Sequence, residues 1–319
     1  MNKVDTYLRA ATRDNTRRSY QSAARHFEIE WGGFLPATAD AIARYLADHA
    51  DSLSINTLRQ RLAALAQWHI DQGFPDPTKA PVVRKVLRGI QALHPSQEKR
   101  ARPLQLEQLD RLEDWLNQAI IRASSAGDRP ALLRHTRNKA LLLLGFWRGF
   151  RGDELTRLQV QYIDAVPGEE MTCFLPQTKG DRGHKGTSFK APALARLCPV
   201  TAYVEWITLA DLAEGPVFRS VDRWGHLGHE GLHINSLIPV LRTLFAEADI
   251  AYSTEYSGHS LRRGFAQWAT SNGWDIKTLM EYVGWKNVQS AMRYIDAADP
   301  FRRHRVENSG TALSLPDPS

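Results

Sequence analysis

The 319-residue chain lacks the features that mark secreted and membrane proteins. Its two cysteines, Cys173 and Cys198, are too few for a disulfide framework or a cysteine-based zinc site. The longest apolar run, residues 140–147, is far shorter than the ~20 residues that cross a bilayer. The first residues, MNKVDTYLRAATRD, contain no apolar stretch typical of a secretory signal. We therefore expect a cytoplasmic protein with no membrane partner.

Common nucleotide- and metal-binding motifs are missing as well. The sequence contains neither a phosphate-binding G-x-x-x-x-G-K-[ST] loop nor a G-x-G-x-x-G turn, and it has no H-E-x-x-H or G-x-S-x-G motif. His226, His229 and His233 have spacings that could bind a metal. The three glycines among them favour a loop of histidines that faces DNA or solvent, and a metal site there is the minor alternative. We predict no cofactor and no metal.

Positive charge is concentrated at one end of the chain. Composition is ordinary for a globular protein, with 43% hydrophobic and 24% charged residues and a formal net charge of +6. Residues 1–103 hold 16 Lys and Arg against 10 Asp and Glu, whereas residues 104–319 hold 25 of each. The whole excess therefore belongs to the N-terminal third. Such an excess indicates a polyanionic partner, most simply nucleic acid, although it would also serve solubility.

Residues 1–93 are predicted to form a helical domain. Apolar residues recur at helical spacing in four segments, which begin near residues 14, 38, 54 and 79 and are separated by glycine and proline. The third and fourth segments carry basic residues on their predicted outer faces: Arg59, Arg61, Arg84, Lys85 and Arg88. Exposed basic residues are most often only solvated, but several on one side of a bundle favour contact with DNA phosphates.

The composition changes sharply after residue 93. Residues 94–103, HPSQEKRARP, have the prolines and charges of a linker. We predict a second domain over 104–307, in which helices surround a three-stranded antiparallel sheet within 159–191, and a polar tail over 308–319. The predicted fold class is mainly α with a small antiparallel β-sheet, organised as a helical domain followed by an α+β domain.

One chemically notable segment follows the apolar run. Residues 149–155 read Gly-Phe-Arg-Gly-Asp-Glu-Leu, which places Arg151 and Glu154 at the edge of the predicted core. A surface ion pair of Arg151 with Asp153 or Glu154 is the alternative interpretation.

A second segment lies near the C-terminus. His259 and Arg262 are three residues apart in a predicted helix and so share one face, and Trp285 and Tyr294 follow across a short turn. Lys179 lies in the predicted turn between the second and third strands. With the G-x-R-x-x-E-L box, these residues occur in the order and at the separations found in the tyrosine recombinase, or phage-integrase-like, family. Over nearly its whole length the chain resembles that family, and most of all its Cre-type members.

The chemistry of DNA strand exchange calls for these residue types. Exchange without an energy source must conserve the phosphodiester bond energy, and a covalent protein–phosphate link does so. A phenol of pKa ~10 is only ~0.1% ionised at pH 7, so a tyrosine nucleophile needs a base or cations nearby. The pentavalent phosphorane gains negative charge, which guanidinium groups bind well. The departing 5′ oxygen resembles an alkoxide and needs a proton donor.

The resemblance implies a role for each residue. Tyr294 would attack the scissile phosphate and form a 3′-phosphotyrosine, while Arg151 and Arg262 would clamp its non-bridging oxygens. His259 would accept the tyrosine proton or bind the phosphate. Lys179 would protonate the leaving oxygen, with Lys185 as the alternative.

Two more residues complete the implied catalytic set. Trp285 would donate a hydrogen bond from its indole N–H, in place of the histidine more usual there, although it could be only a core aromatic. Glu154 would orient the neighbouring catalytic groups and tune His259.

The resemblance also implies partners. The expected substrate is double-stranded DNA with inverted-repeat sites, bound by four protomers in the cytoplasm at the nucleoid, with an accessory protein left open. Two other functions remain: a type IB topoisomerase-like enzyme, and a non-catalytic DNA-binding regulator on the same scaffold.

Overall fold

The computed structural model describes residues 14–95, 101–178 and 185–294, with residues 3, 6, 7 and 12 of the N-terminal stretch. The chain divides into two compact units, residues 1–99 and 100–319. Lys179, the C-terminal tail and part of the predicted linker lie outside the described residues. Among the described residues, no helix has both the length and the apolar character that a membrane span requires.

The N-terminal unit is built from four main helices. Their bounds are α1 Asp14–Arg25, α2 Ala39–Asp48, α3 Ile55–Asp71 and α4 Pro81–Leu93. A π-helical turn, His26–Glu30, continues α1. Helix α3 begins where the Ser54 hydroxyl accepts a hydrogen bond from the Thr57 amide, as serine at an N-cap is expected to do. The helical prediction for this region is confirmed.

Aromatic rings fill the centre of this unit. Phe27 and Tyr45 are fully buried, and their ring centroids lie 5.1 Å apart in an edge-to-face arrangement. Aliphatic residues from the other helices complete the core: Ile42, Leu46, Leu58, Leu65 and Val83. Each helix therefore buries one face and leaves the opposite face to solvent.

The second unit is mainly helical. Its helices are α5 Leu106–Ser125, α6 Arg129–Trp147, α7 Gly152–Thr156, α8 Pro199–Leu209, α9 Ile234–Glu247, α10 Gly258–Ser271, α11 Ile276–Val283 and α12 Val288–Met292. Every residue from Ala140 to Phe146 is buried, so the last two turns of α6 are covered on all sides. Helix α6 packs against α5, α8 and α10 and forms the centre of the core.

The predicted antiparallel sheet is present in this unit. Strands β1 Ile163–Val166, β2 Glu170–Leu175 and β3 Thr187–Pro192 pair in sequence order. Buried and less buried residues alternate along β2, so that one face of the sheet packs on the helices. The fold class, mainly α with a small antiparallel sheet, is confirmed.

A second, two-stranded sheet was not predicted. Strands β4 Arg219–Val221 and β5 Leu227–Gly231 form an antiparallel hairpin. The expectation that all three histidines lie in a loop is therefore wrong for His229, which lies on β5. His233, the N-cap of α9, lies in the connection between β5 and that helix. His226, in the turn, has its Nδ1 3.0 Å from a carboxylate oxygen of Asp222. Within the described part of the chain, no three metal-ligating side chains cluster.

The entry of the chain into the second unit is fixed against α10. Leu104 is fully buried, and its amide donates a 3.1 Å hydrogen bond to the Ser260 carbonyl. A Cβ on Gly264 would lie 2.0 Å from the Leu104 carbonyl oxygen. Only glycine allows this approach. Arg102 also contacts Glu255 through both its backbone amide and its guanidinium. This contact positions the helix that carries His259 and Arg262.

Candidate active site

Arg151 and Glu154 lie where the core helix ends. Gly149 has a φ of +55° and turns the chain from α6 toward α7, and Arg151 occupies the N-cap position of α7. Glu154 is only 2% exposed. One of its carboxylate oxygens accepts from the Arg151 guanidinium at 2.6 Å and the other from the Arg151 amide at 2.9 Å. The carboxylate thus fixes both the backbone and the side chain of Arg151.

Arg262 approaches the same carboxylate from α10. Its side chain is fully buried, with Nη1 3.6 Å from Glu154 Oε2. Nη1 donates a 2.6 Å hydrogen bond to the Gly149 carbonyl, and Nη2 lies 3.5 Å from the Val283 carbonyl. Burial, reinforced by the charge of Arg151, lowers the Arg262 pKa to about 9. The guanidinium therefore stays charged at neutral pH, held beside Arg151 by the carboxylate.

Tyr294 and His259 form a direct hydrogen-bonded pair. His259 lies in the first turn of α10, where its amide donates to the N-cap hydroxyl of Ser257 at 3.2 Å. The Tyr294 hydroxyl is 3.1 Å from His259 Nδ1. When the imidazole carries its proton on Nε2, Nδ1 accepts from the phenol O–H. This is the geometry of a nucleophile beside its general base.

Trp285 packs against both Arg262 and Tyr294. Helix α11 ends at Gly284, whose φ of +74° turns the chain toward Trp285. The indole stacks on the Tyr294 ring with centroids 5.2 Å apart, and the Arg262 guanidinium lies 4.9 Å from the indole. The indole Nε1 is buried and has no hydrogen-bond partner among the described residues. A buried unpaired N–H is costly, so this donor suits an oxygen of a bound anion.

The structure brings together six of the seven predicted catalytic residues. Contacts link Arg151 to Glu154, Glu154 to Arg262, Arg262 to Trp285 and Tyr294, and Tyr294 to His259. The seventh, Lys179, lies outside the described residues. Its alternative, Lys185, is exposed just before β3. The cluster therefore combines two guanidiniums, a phenol and an imidazole, which can bind a phosphodiester and attack it.

The predicted DNA-contacting residues differ in their surroundings. Arg84, Lys85 and Arg88 are exposed on α4 and line one surface pocket. Arg59 is exposed and donates to Gln91 at 2.8 Å. Arg61 is instead half-buried, contrary to its expected outward position, and donates to the Tyr45 hydroxyl at 3.0 Å.

Sequence reasoning missed one charged residue next to the site. Arg148 precedes the G-x-R-x-x-E-L box and is only 2% exposed. A charged residue directly after an apolar helix usually marks the point where the chain reaches the surface. Its burial follows from contacts with Tyr282 on α11, 134 residues later in the chain, and no local pattern predicts them.

Comparison with known proteins identifies the family. Residues 118–300 match the model of the phage integrase family. The chain is 28% identical over 310 residues to the integrase/recombinase XerD homolog of Selenomonas ruminantium, covering 94% of this chain and 86% of the homolog. It is 26% identical over 281 residues to the Cre recombinase of Escherichia phage P1, covering 83% of this chain and 78% of Cre.

The fold also has counterparts among solved structures. The Tn1549 transposon integrase in complex with transposon right-end DNA aligns with a TM-score of 0.60 at 15% sequence identity, and the alignment covers 95% of each chain. At that identity the likeness concerns the fold. The family match itself spans more than half of the chain. The protein therefore belongs to the phage integrase family and is a tyrosine recombinase.

Proposed function

We propose that this tyrosine recombinase cleaves and rejoins specific DNA sites through a covalent link to Tyr294. The observation that carries the proposal is the Tyr294 hydroxyl, 3.1 Å from His259 Nδ1, with its ring 5.5 Å from the Arg262 guanidinium. A phenol between a proton acceptor and a fixed cation is prepared to attack an anionic phosphate.

Cleavage is a transfer of the phosphoryl group from DNA to tyrosine. The Tyr294 oxygen forms a bond to phosphorus as the bond to the 5′ oxygen breaks, and the phenol proton passes to His259. The 5′ oxygen leaves with a proton from Lys179, or from Lys185 as the alternative. The products are a 3′-phosphotyrosine and a free 5′ hydroxyl.

Hydrogen-bond donors of the site bind the negative charge that grows on the phosphate during attack. Arg151 and Arg262 contact the non-bridging oxygens, and the unpaired Trp285 indole N–H supplies one further hydrogen bond. Glu154 contacts both guanidiniums and holds them at fixed positions. Preorganised donors of this kind avoid reorganisation as charge accumulates in the transition state.

Rejoining reverses the same step. The 5′ hydroxyl of a partner strand attacks the phosphotyrosine and releases Tyr294, so each ester bond broken is replaced by one formed. The exchange consumes no nucleotide and needs no metal. Four protomers on two inverted-repeat sites carry out two rounds of it, at the nucleoid in the cytoplasm, for integration or for resolution of joined replicons. An accessory protein is compatible with this scheme.

DNA binding is assigned mainly to the N-terminal unit. Arg84, Lys85 and Arg88 share an exposed surface of α4, and Arg59 is exposed on α3. We propose that these side chains contact phosphates and that one helix enters the major groove. We keep Arg61 among the proposed DNA-contacting residues because Arg59 lies nearby on α3. To contact a phosphate, Arg61 would give up its hydrogen bond to the Tyr45 hydroxyl.

A nicked suicide substrate tests the proposal. Loss of the short strand beyond the cleavage point prevents rejoining and traps the covalent complex, so candidate sites are first found by sequencing DNA that cross-links to the protein. A recombinase traps on its own site alone. Trapping on most duplexes would instead indicate a topoisomerase, and a protein that binds one site without trapping would be a regulator.

A modified substrate tests the lysine assignment. Lys179→Ala should cleave slowly, because the 5′ oxygen lacks its proton donor. A 5′-phosphorothiolate replaces that oxygen with sulfur, which leaves without a proton, so cleavage should recover. Recovery with Lys185→Ala in place of Lys179→Ala would move the role to Lys185.

A further inference from the structure

Arg148 is a buried cation that the proposed chemistry does not use. It directly follows α6 and is only 2% exposed. Within the described residues it forms no ion pair with a carboxylate, and its Nε has no hydrogen-bond partner. Burial of a charge without a counterion is costly, and an apolar residue of similar length would fill the same volume at lower cost. The charge therefore calls for an explanation beyond packing.

The Arg148 guanidinium contacts Tyr282 on α11, Phe189 on β3 and the nearby Phe150. Its Nη2 donates to the Tyr282 carbonyl, and its guanidinium lies 3.9 Å from the centroid of the Tyr282 ring and 5.2 Å from that of Phe189. Tyr282 returns a bond, because its hydroxyl donates to the Trp147 carbonyl at 3.0 Å. Two reciprocal hydrogen bonds thus join the end of α6 to the end of α11.

The residues that directly follow Arg148 and Tyr282 in the chain both contact Arg262. Gly149, which follows Arg148, accepts from Arg262 Nη1 at 2.6 Å, and the carbonyl of Val283, which follows Tyr282, lies 3.5 Å from Nη2. The separation of these two carbonyls determines where the Arg262 guanidinium can lie. The Arg148–Tyr282 contact fixes that separation one residue away.

We propose that Arg148 is a positioning residue, which holds Arg262 in place through the Tyr282 carbonyl. The inference rests on the proposed function of Arg262 as a phosphate clamp. An error of about 1 Å in a catalytic group can cost about a hundredfold in rate. A change at Arg148 therefore lowers the rate of cleavage, while the exposed basic residues that bind DNA are unaffected.

The central variant is Arg148→Met, which keeps a flexible apolar stem and removes the guanidinium. Arg137→Met is the matched control, since Arg137 lies in α6, which Arg148 directly follows, is buried and donates to the Arg219 carbonyl at 2.9 Å. Both variants lose a buried arginine bound to a backbone carbonyl, but only Arg148 adjoins the Arg262 acceptors. We measure DNA affinity and single-turnover cleavage of the nicked substrate for each.

Arg148→Met should cleave about 10- to 100-fold more slowly at an affinity within about twofold of wild type. Arg137→Met should cleave at the wild-type rate. The defect of Arg148→Met should disappear in an Arg262→Lys background, because the residue acts through Arg262. Wild-type cleavage by Arg148→Met, or the same loss with and without the Arg262 guanidinium, overturns the proposal. If Arg148→Met does not fold, Tyr282→Phe removes one of the two reciprocal bonds and should show a smaller loss of the same kind.

A second readout needs no DNA and so separates this inference from the proposed function. In protein labelled with ¹⁵N-arginine, the guanidinium signal of Arg262, assigned by its loss in Arg262→Lys, should show slow N–H exchange. Arg148→Met should accelerate that exchange and Arg137→Met should not. Unchanged N–H exchange in Arg148→Met refutes the positioning role. If the wild-type protein cleaves no candidate site, that result refutes only the proposed function.

Discussion

The hydroxyl of Tyr294 lies 3.1 Å from Nδ1 of His259, although 35 residues separate them. The two side chains come from different elements, since His259 begins α10 and Tyr294 follows α12. The fold of the chain therefore places the proton acceptor beside the hydroxyl of the proposed nucleophile.

Tyr294→Phe tests the nucleophile most directly. The variant loses only the hydroxyl, and the stacking on Trp285 remains available to the phenyl ring. We expect near-normal DNA affinity and no covalent adduct in a denaturing gel shift of the suicide substrate. Tyr282→Phe removes another phenol of the same unit and should still form the adduct, although more slowly, because it loses the bond to the Trp147 carbonyl. An adduct with Tyr294→Phe would assign the nucleophile to another residue.

Glu154→Gln tests the buried carboxylate. The substitution keeps the shape but removes the charge that faces both guanidiniums. Each charged hydrogen bond that is weakened costs about 1.5–3 kcal/mol, so we expect a lower free energy of unfolding and cleavage reduced by about tenfold or more. Asp153→Asn, at the exposed neighbouring carboxylate, is the control. Urea unfolding measures the stability and single-turnover cleavage measures the rate. Wild-type values of both for Glu154→Gln would show that the carboxylate does not hold the two guanidiniums.

Gly264→Ala tests the packing of the entering chain on α10. The added Cβ would lie 2.0 Å from the Leu104 carbonyl oxygen, so the backbone must shift. We expect a loss of about 1–3 kcal/mol in the free energy of unfolding. Gly89→Ala, in α4 with nothing within 4 Å of its Cβ position, should instead gain about 0.5–1 kcal/mol. Equal effects of the two substitutions would show that the close approach is absent.

The salt dependence of DNA binding tests the basic surface of α4. Removal of a side chain that binds one phosphate should reduce the slope of log affinity against log salt by about 1. Arg84→Gln and Arg88→Gln should each show this change on any duplex. Lys190→Gln is the control, because that charge is paired with Glu170 at 2.7 Å. A slope that none of these substitutions alters would place the phosphate-binding residues elsewhere.

The stability of the N-terminal unit should fall in acid because of His26. Arg61 donates to the Tyr45 oxygen, which leaves the hydroxyl proton for Nδ1 of His26 at 2.9 Å. Burial, followed by the charge of Arg61, lowers the His26 pKa from 6.5. The unfolded chain therefore takes up this proton more readily. Stability is retained above the unfolded pKa of ~6.5 and declines as the pH falls below it.

Thermal unfolding at about pH 8 and about pH 5.5 measures this effect. His26→Gln should lose less stability between the two values than the wild type does. His135→Gln serves for comparison, since burial also lowers the His135 pKa in the other unit. Identical pH profiles for His26→Gln and the wild type would contradict the argument.

The sequence was most informative where local pattern and chemistry coincide. Helical periodicity and the Ser54 cap predicted α3, and three short extended runs separated by two turns in residues 159–191 predicted the three-stranded sheet. The candidate site could be assembled because boxes of fixed spacing carry its residues. These features depend on neighbours within a few residues, which the sequence displays directly.

Features that depend on distant partners escaped prediction. The β4–β5 hairpin contains glycine and histidine where strands usually carry branched apolar residues, so its pairing has no local signal. Arg61 occupies a polar position of α3 yet turns toward Tyr45 on another helix. Arg148 is buried by Tyr282, 134 positions away, and by Phe189 on β3. In each case tertiary packing overrides the local preference.

The placement of Glu154 between two arginines sets an electrostatic balance. Two guanidiniums and one carboxylate sum to a single positive charge, which equals in magnitude the one negative charge of a phosphodiester. As Tyr294 attacks, the phosphorane acquires a second negative charge while His259 becomes positive by taking the phenol proton. Counted over these side chains, with the proton-donating lysine left out, the positive charge thus rises by one as the negative charge of the reacting group rises by one.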